Sequence, residues 1–339
     1  MKKIISSVNN WISVKLDFHL LGIGLLIASI GLLPLKAEFN KSGRTAFQVA
    51  KIGIGARQVA LGEACAASIN DVNSIFWNPA GVSGIGRIGS SINYNRWLAD
   101  LNYFSFAAAF RIKRNHLISF GLSTLDYGDI DEALIPVTGG TSDTRTGETF
   151  SGSDNIISLT YAREYTDRLT IGISAKYMSE QLFDYTVDLW AFDVGTFYKI
   201  GFKDLRIAMS AQNFKIGSVK WLEESDRDDG YDIPLVYRIG VAMNVIDGSD
   251  GFINLGATHR LQYAFDAISS NDYGERYHMG LEYWYKEFIA IRGGYKHNYQ
   301  DGNLSLGLGI KLDKFNLDYA FTAYEYLNSP QRISIVFTF

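Results

Sequence analysis

The sequence predicts an all-β protein, a transmembrane antiparallel β-barrel of about 14 strands. From Ile88 onward, apolar and polar residues alternate with a period of two, as they do in strands with two unlike faces. The chain contains 21 Phe, 20 Tyr, 6 Trp and 33 Gly against only 5 Pro, which favours long strands flanked by aromatic girdles at the membrane interfaces. Short and long connections between the strands also alternate, which is typical of outer-membrane barrels.

The composition supports one membrane domain within the 339 residues. Hydrophobic residues make up 47% and charged residues 20%, and the mean hydropathy is −0.01. This is too polar for a helical membrane protein but suits a barrel, in which only alternate residues face lipid. The formal net charge of −4 gives no reason to propose nucleic acid or an anionic membrane surface as a partner. The single cysteine, Cys65, excludes an intramolecular disulfide.

Residues 1–37 are predicted to be a secretory signal peptide. Lys2, Lys3 and Lys15 precede an apolar run over 20–35, and the stretch "LPLKAEF" allows cleavage after Ala37. A transmembrane anchor is the alternative, but a run of about 16 residues is short when a span needs about 20. Export is therefore the prediction.

Residues 38–87 are predicted to be a hatch, or plug, because they are rich in Gly and Ala and lack strand alternation. Asn70 or Asp71 is a candidate N-cap for a short helix over 72–77. A residue before proline is pushed out of the helical region, and glycines then allow a sharp bend into the first strand. The residues in these end and bend positions are Asn78, Pro79, Gly81 and Gly84.

Residues 88–339 are predicted to form the barrel, and an even number of strands would leave both termini in the periplasm. The even-numbered connections are tight, and the odd-numbered ones are longer on average, notably 127–153 and 214–234. Short turns are the periplasmic ones in such barrels. The predicted strands are 88–97, 102–112, 116–126, 154–165, 168–179, 185–199, 204–213, 235–246, 251–263, 275–285, 288–297, 303–312, 315–324 and 331–339.

Alternation also assigns side chains to the two faces of the barrel. Ile171, Ile173, Leu306 and Leu308 are expected to face lipid. Charged residues at the opposite parity would point into the lumen, where they either line a passage or pair with one another. Pairing is the default, because an unpaired buried charge is costly. The candidate lumen charges are Lys176, Arg206, Glu282 and Arg292.

The chain ends on a strand, "RISIVFTF", whose terminal aromatic residues resemble the signal that the bacterial barrel-assembly machinery recognises. Phe337 and Phe339 lie on one face of this strand. A simple closing strand is the alternative interpretation, and both can hold together.

The stretch "GARQVALGEACAASINDVNSIFWNPAGVSG" resembles the amino-terminal motif of the PorV/PorQ family, within the FadL-like group of outer-membrane proteins. The resemblance continues through "LTIGISAKYM", "GLEYWYKEFIAIRGGYK" and the C-terminal segment. It implies a 14-stranded FadL-like barrel with an N-terminal hatch, and structural anchoring rather than ligand contact for the matched positions. These positions are Gly55, Ala56, Arg57, Leu61, Gly62, Asp71, Asn78, Pro79, Ala80 and Gly81.

The sequence offers no catalytic or metal-binding pattern. The five histidines, at 19, 116, 259, 278 and 297, do not form a Ser–His–carboxylate arrangement or a metal-type spacing. An acidic loop over 224–232 is interpreted as solvated rather than as a calcium site. The prediction is a protein that is not an enzyme and has no cofactor.

Two functions remain, both in the bacterial outer membrane with its lipid as surroundings. The first is a binding or adaptor barrel of the PorV/PorQ type that assists protein export to the cell surface, as in type IX secretion, with a secretion translocon or exported cargo proteins as partners. The alternative is a FadL-like, hatch-gated uptake channel with a hydrophobic ligand or detergent in the lumen. An apolar lumen beside the hatch would favour uptake, and a packed polar lumen would favour the adaptor.

Overall fold

The computed structural model describes residues 45–133, 145–216, 231–248 and 250–339. The predicted signal peptide, residues 38–44 of the predicted hatch and most of the acidic loop lie outside these ranges. None of the helices in the described ranges is long and apolar enough to cross a membrane.

Within the described residues, 14 antiparallel strands close into a barrel. Each strand pairs with its neighbours in sequence, and β1 pairs with β14 to close the ring, with Ile92 opposite Ile335. The strands are β1 Ile88–Arg96, β2 Asn102–Lys113, β3 His116–Ala133, β4 Arg145–Glu164, β5 Leu169–Leu182, β6 Tyr185–Lys199, β7 Arg206–Ile216, β8 Val236–Ile246, β9 His259–Ser270, β10 Arg276–Tyr285, β11 Ile289–His297, β12 Leu304–Leu312, β13 Phe315–Ala323 and β14 Gln331–Thr338. The fold class predicted from the sequence is confirmed.

The two ends of the barrel differ, and we name them by their connections. The short-turn end carries the β2–β3, β4–β5, β6–β7, β8–β9, β10–β11 and β12–β13 connections, together with Phe339. The long-loop end carries the remaining connections.

The largest error in the predicted strands concerns β9, which spans His259–Ser270 instead of 251–263. The backbone of Ile253 folds back on the end of β8: its N–H donates to the carbonyl of Val245 at 2.9 Å. Gly256, with φ at 79°, then reverses the chain. The β8–β9 connection is therefore long, although it was predicted to be tight. Strands β3 and β4 also extend beyond their predicted ends through two register shifts, because backbone pairing continues where apolar alternation has stopped.

The alternation of the strands separates a lipid-facing surface from a lumen surface. Ile173, Leu306 and Leu308 are 53%, 53% and 56% exposed, whereas Thr170 and Ser305, on the opposite parity, are buried. The same apolar exposure recurs on all strands of the barrel except β9, whose outward apolar residues are half-buried; examples are Phe120 and Ile291. The outer surface is therefore an apolar belt around the barrel.

Arginine in the middle of this belt is expected to be strongly destabilising. Leu308 lies at the centre of β12, so Leu308→Arg should lower the free energy of unfolding by about 2–4 kcal/mol in a folding titration into lipid vesicles. Leu312 is equally exposed but ends the strand, and Leu312→Arg should cost only about 0–1 kcal/mol because the interface is close. Equal costs at the two positions would show that the belt is not centred on Leu308.

Residues 45–87, here called the N-terminal segment, run through the lumen from one end of the barrel to the other. Thr45 bridges Asp232 at the long-loop end. At the short-turn end, the backbone N–H groups of Arg87 and Ile88 donate to the carbonyl of Phe339 at 2.6 and 3.0 Å. Both chain termini were expected on one side of the membrane. The first described residue of the segment instead lies at the end of the barrel opposite Phe339. The domain boundaries, with a hatch over 38–87, stay a prediction.

Candidate functional site in the barrel lumen

Two short 3-10 helices in the N-terminal segment form because polar side chains cap them. The first covers Val72–Phe76, one residue shorter than predicted, and the Asp71 carboxylate caps it by accepting from the N–H of Asn73 at 2.9 Å. The second covers Pro79–Gly84, and the Asn78 side chain accepts from the N–H of Ala80 at 3.0 Å. Proline in the first turn loses no hydrogen bond and sets the helical φ. The local sequence therefore determines both helices.

The Asn78–Pro79 step fastens the N-terminal segment to the barrel wall. The Asn78 side-chain amide donates to the carbonyl of Ala66 at 3.2 Å and to that of Thr196, on β6, at 3.1 Å. Glycines in the wall leave space for this close approach. A Cβ at Gly195 would collide with the Asn78 side chain, and one at Gly172 would lie 2.5 Å from the Pro79 carbonyl carbon. These contacts are with protein atoms, as structural anchoring requires.

A buried ion network links the segment to three strands. The Arg57 guanidinium donates two hydrogen bonds to Glu282, both at 2.8 Å, and lies 3.1 Å from Asp71. Arg292 binds Glu282 and Asp318, each at 2.7 Å. The side chains of Glu282 and Arg292 are 0% and 1% exposed. A buried charge without a partner is costly. The charges of the segment and those of the barrel wall are therefore both stabilised only when the segment lies in the lumen.

A second polar cluster holds the turn that follows helix α1, Ala56–Ala60. The Asp266 carboxylate accepts from the backbone N–H groups of Cys65 and Ala66 at 2.8 and 2.9 Å. Glu63 lies 3.2 Å from Lys296, and its carbonyl accepts from Arg238 at 2.8 Å. Burial alone would raise the pKa of the Glu63 carboxyl, but the positive charges of Lys296 and Arg238 outweigh it and lower the pKa to about 2. Glu63 is therefore ionised at neutral pH.

The structure brings some of the sequence-predicted lumen charges together and leaves others apart. All four are buried. Glu282 and Arg292 share the ion network, whereas Lys176 pairs with Asp193 on β6 at 2.6 Å and Arg206 pairs with Asp204 at 3.2 Å near the short-turn end.

Sequence reasoning missed several partners of these charges. Asp193, Asp266 and Asp318 occupy lumen-facing positions of their strands, and that parity was the signal that could have found them. Glu63 lies outside any periodic element, so no pattern marks it.

The remaining motif positions lie inside the barrel. Arg57 and Asp71 are half-buried in the ion network, and the others are buried: Gly55, Ala56, Leu61, Gly62, Asn78, Pro79, Ala80 and Gly81. Phe337 packs edge-on against Phe315 at a centroid distance of 4.5 Å, and Phe339 is 54% exposed. The anchoring role of the motif and the assembly role of the two phenylalanines stay predictions.

A cavity of about 240 Å³ opens in the long-loop half of the lumen, directly beside the N-terminal segment. Segment residues 49–54, Phe76 and Trp77 form one side of it. The barrel wall supplies Trp97, Tyr103, Ile156, Val236, Ile268, Tyr273, Tyr299 and Tyr324, together with the cations Lys176, Arg238, Arg276 and Lys296. The Arg276 guanidinium lies over the rings of Tyr273 and Tyr299, 3.6 and 4.0 Å from their centroids. The walls are thus aromatic and aliphatic over a little more than half of their surface, and the rest is formed by the cations and by Glu63, Ser123, Ser158 and Gln212. Apolar walls with placed polar groups are the usual character of a small-molecule site.

In the described parts of the chain, no group of three or more His, Cys, Asp or Glu residues is placed to hold a metal ion.

Several solved structures share this barrel. The CymD monoaromatic hydrocarbon channel matches with a TM-score of 0.54 at 11% identity, over 87% of this chain and 99% of that one. The Pseudomonas putida toluene transporter TodX matches with a TM-score of 0.54 at 12% identity, over 84% of this chain and 96% of that one. A Pseudomonas aeruginosa FadL homologue matches with a TM-score of 0.49 at 11% identity, over 84% of this chain and 98% of that one.

At 11% and 12% identity, the matches to CymD and TodX show a shared barrel fold and nothing finer. No protein-family model matches the sequence, and no curated protein matches it. The PorV/PorQ resemblance of the motifs therefore stays a prediction.

Proposed function

We propose that this protein is an outer-membrane channel that takes up small, largely apolar molecules, with the N-terminal segment acting as its hatch. The observation that carries the proposal is the aromatic-walled cavity beside the segment, in the half of the lumen that faces the long loops. The fold is shared with proteins described as a monoaromatic hydrocarbon channel and a toluene transporter, which supports the same class of ligand here.

The size and the chemistry of the cavity agree with this ligand class. An apolar cavity of about 150 Å³ is enough to bind benzene, so a volume of about 240 Å³ accommodates a molecule of one or two rings. Trp77 from the segment and Trp97 and Tyr103 from the barrel wall offer flat apolar surfaces to the space. The Arg276 guanidinium at its wall can donate to an oxygen substituent on the ligand.

Passage beyond the cavity requires the hatch to move. On the short-turn side of the cavity, helix α1 and the 3-10 helices Val72–Phe76 and Pro79–Gly84 fill the lumen. Their side chains are buried against the wall. A ligand in the cavity touches residues 49–54 on one side. Those residues are consequently the part of the hatch that ligand binding affects first.

Filling the cavity is expected to abolish ligand binding. Ser158, on β4, lines the cavity, whereas its neighbour Leu159 faces lipid and is 60% exposed. With toluene as the probe, Ser158→Trp should weaken binding at least about tenfold, because the indole occupies the ligand's volume. Binding is followed by the equilibrium retention of radiolabelled toluene by the protein in detergent.

Leu159→Trp is the matched control, since it adds the same side chain on the outer face. It should leave the affinity unchanged. An unchanged affinity for Ser158→Trp, with the protein still folded, would remove the cavity from the proposal.

A second candidate function, an adaptor for exported proteins, is favoured by the packed and ion-paired lumen around Glu282 and Asp266. A pull-down from detergent-solubilised outer membrane, with mass spectrometry of both proteins and lipids, separates the two candidates. A channel should retain small hydrophobic molecules without stoichiometric exported proteins. Stoichiometric recovery of translocon or cargo proteins would replace the channel proposal with the adaptor.

A further inference from the structure

Exposed charges of opposite sign are segregated between the two ends of the barrel. Exposed basic side chains cluster at the short-turn end, and six of them, here called the basic collar, are Arg114, Arg163, Arg168, Lys203, Lys286 and Lys314. Exposed carboxylates concentrate at the opposite end, for example Asp126, Asp129, Asp131, Asp184, Asp188 and Glu275. The formal net charge of −4 conceals this asymmetry, because the two ends largely cancel.

The collar charges are not neutralised by their own end of the protein. None of the six forms an ion pair within the described parts of the chain. Exposed carboxylates at this end are fewer, namely Asp167, Asp250, Glu287 and Asp313. One of them, Glu287, is bound by Arg260 at 2.6 Å. The collar is therefore left with a net positive charge that faces outward.

Three members of the collar lie at the edge of the lipid-facing belt. Their cationic groups lie over aromatic rings on the outer face, with these distances to the ring centroids: Arg163 over Tyr165 at 4.9 Å, Lys286 over Tyr285 at 5.3 Å and Lys314 over Phe339 at 4.8 Å. The three rings are 55%, 42% and 54% exposed. Tyrosine and phenylalanine on the outer face at the end of a strand lie at the level of the lipid headgroups. The cations beside them are thus held at headgroup depth.

We propose that the basic collar binds the headgroups of anionic phospholipids in the leaflet that surrounds the short-turn end. The charge is complementary, the depth corresponds to that of the phosphate groups, and the aromatic rings beneath the cations pack against the upper acyl chains. The collar enriches anionic lipid around this end and fixes the depth of the barrel in the membrane. This inference does not depend on what passes through the lumen.

The test compares two spin-labelled lipids with the same acyl chains, phosphatidylglycerol and phosphatidylcholine, in electron paramagnetic resonance of the full-length protein in phosphatidylcholine vesicles. Wild-type protein should associate with phosphatidylglycerol roughly two- to fivefold more strongly at low ionic strength. The preference should fall towards unity at about 1 M salt, where screening is nearly complete. Equal association of the two lipids with wild-type protein at low salt would overturn the proposal.

Matched variants assign the effect to the collar. The triple variant Arg163→Gln, Lys286→Gln and Lys314→Gln should lose most of the preference, whereas Arg163→Lys with Lys286→Arg and Lys314→Arg should keep it. Migration of unheated samples on gels verifies that each barrel is closed. A preference that survives in the triple glutamine variant would refute the collar as its source. If the glutamine variant did not assemble, the salt dependence of the wild-type preference would still decide the question.

Discussion

Deleting residues 38–69 is expected to convert a nearly silent barrel into one that conducts ions freely in planar bilayers. The deletion removes helix α1 and the turn that contains Glu63, which pack against β9 to β14. The 3-10 helices that remain are fastened elsewhere, at β6 through Asn78. An open path along the opposite wall should then appear, because a ring of 14 strands is wider than its own side chains can fill.

Two controls accompany this deletion. Residues 38–44 precede every described contact of the segment. Their removal alone should therefore leave the barrel silent. Heat-modifiable migration on gels should show that both deletion variants remain closed barrels. Equal, low conductance of the 38–69 deletion and the intact protein would mean that another part of the chain closes the lumen, and the hatch assignment would fail.

Replacing Arg57 is expected to be among the most destabilising single changes in the chain. Arg57 and Arg292 together face three carboxylates, those of Asp71, Glu282 and Asp318. In Arg57→Met the Glu282 carboxylate, 0% exposed, loses two of its hydrogen bonds and keeps Arg292 at 2.7 Å and the more distant Arg260 at 4.0 Å. Breaking a buried pair from one side typically costs about 3–5 kcal/mol, and the free energy of unfolding should fall by about that amount.

The control and the rescue for Arg57 come from the same chain. Arg96 forms an exposed pair with Asp100, so Arg96→Met should cost less than about 1 kcal/mol. Adding Glu282→Gln to Arg57→Met should recover part of the loss, because it removes the carboxylate that Arg57 neutralised. A cost for Arg57→Met no greater than that for Arg96→Met would show that the network does not hold the segment in the lumen.

The barrel was predictable because its determinants are local and periodic. Alternation with a period of two assigns Leu308 to lipid and Ser305 to the lumen without any knowledge of the closed ring. Capping chemistry likewise marks Asp71 as the start of a short helix, whereas Asn78 was expected only to end that helix and in the structure also caps a second one. The error at β9 has the same origin: Phe252, Ile253 and Leu255 are apolar enough to extend a strand pattern, but a contact with β8 diverts them.

The contents of the lumen depended on contacts between residues distant in sequence. Arg57 and Glu282 are 225 positions apart, and Cys65 and Asp266 are 201 apart, so no local pattern pairs them. Strand parity marks Asp266 and Asp318 as lumen residues but does not show which charge each one meets.

By itself, the amino-acid sequence determined a closed antiparallel barrel, the face on which most strand residues outside β9 lie and the capped turn that begins at Asp71. Those features follow from periodicity and backbone preference, which act over a few neighbouring residues. The tertiary structure alone decided that the N-terminal segment crosses the lumen end to end, that its charges pair with the wall, that an aromatic cavity remains beside it and that the two rims carry opposite charge. All four depend on closing the ring, because only then do residues hundreds of positions apart come within the few ångströms over which packing and ion pairing act.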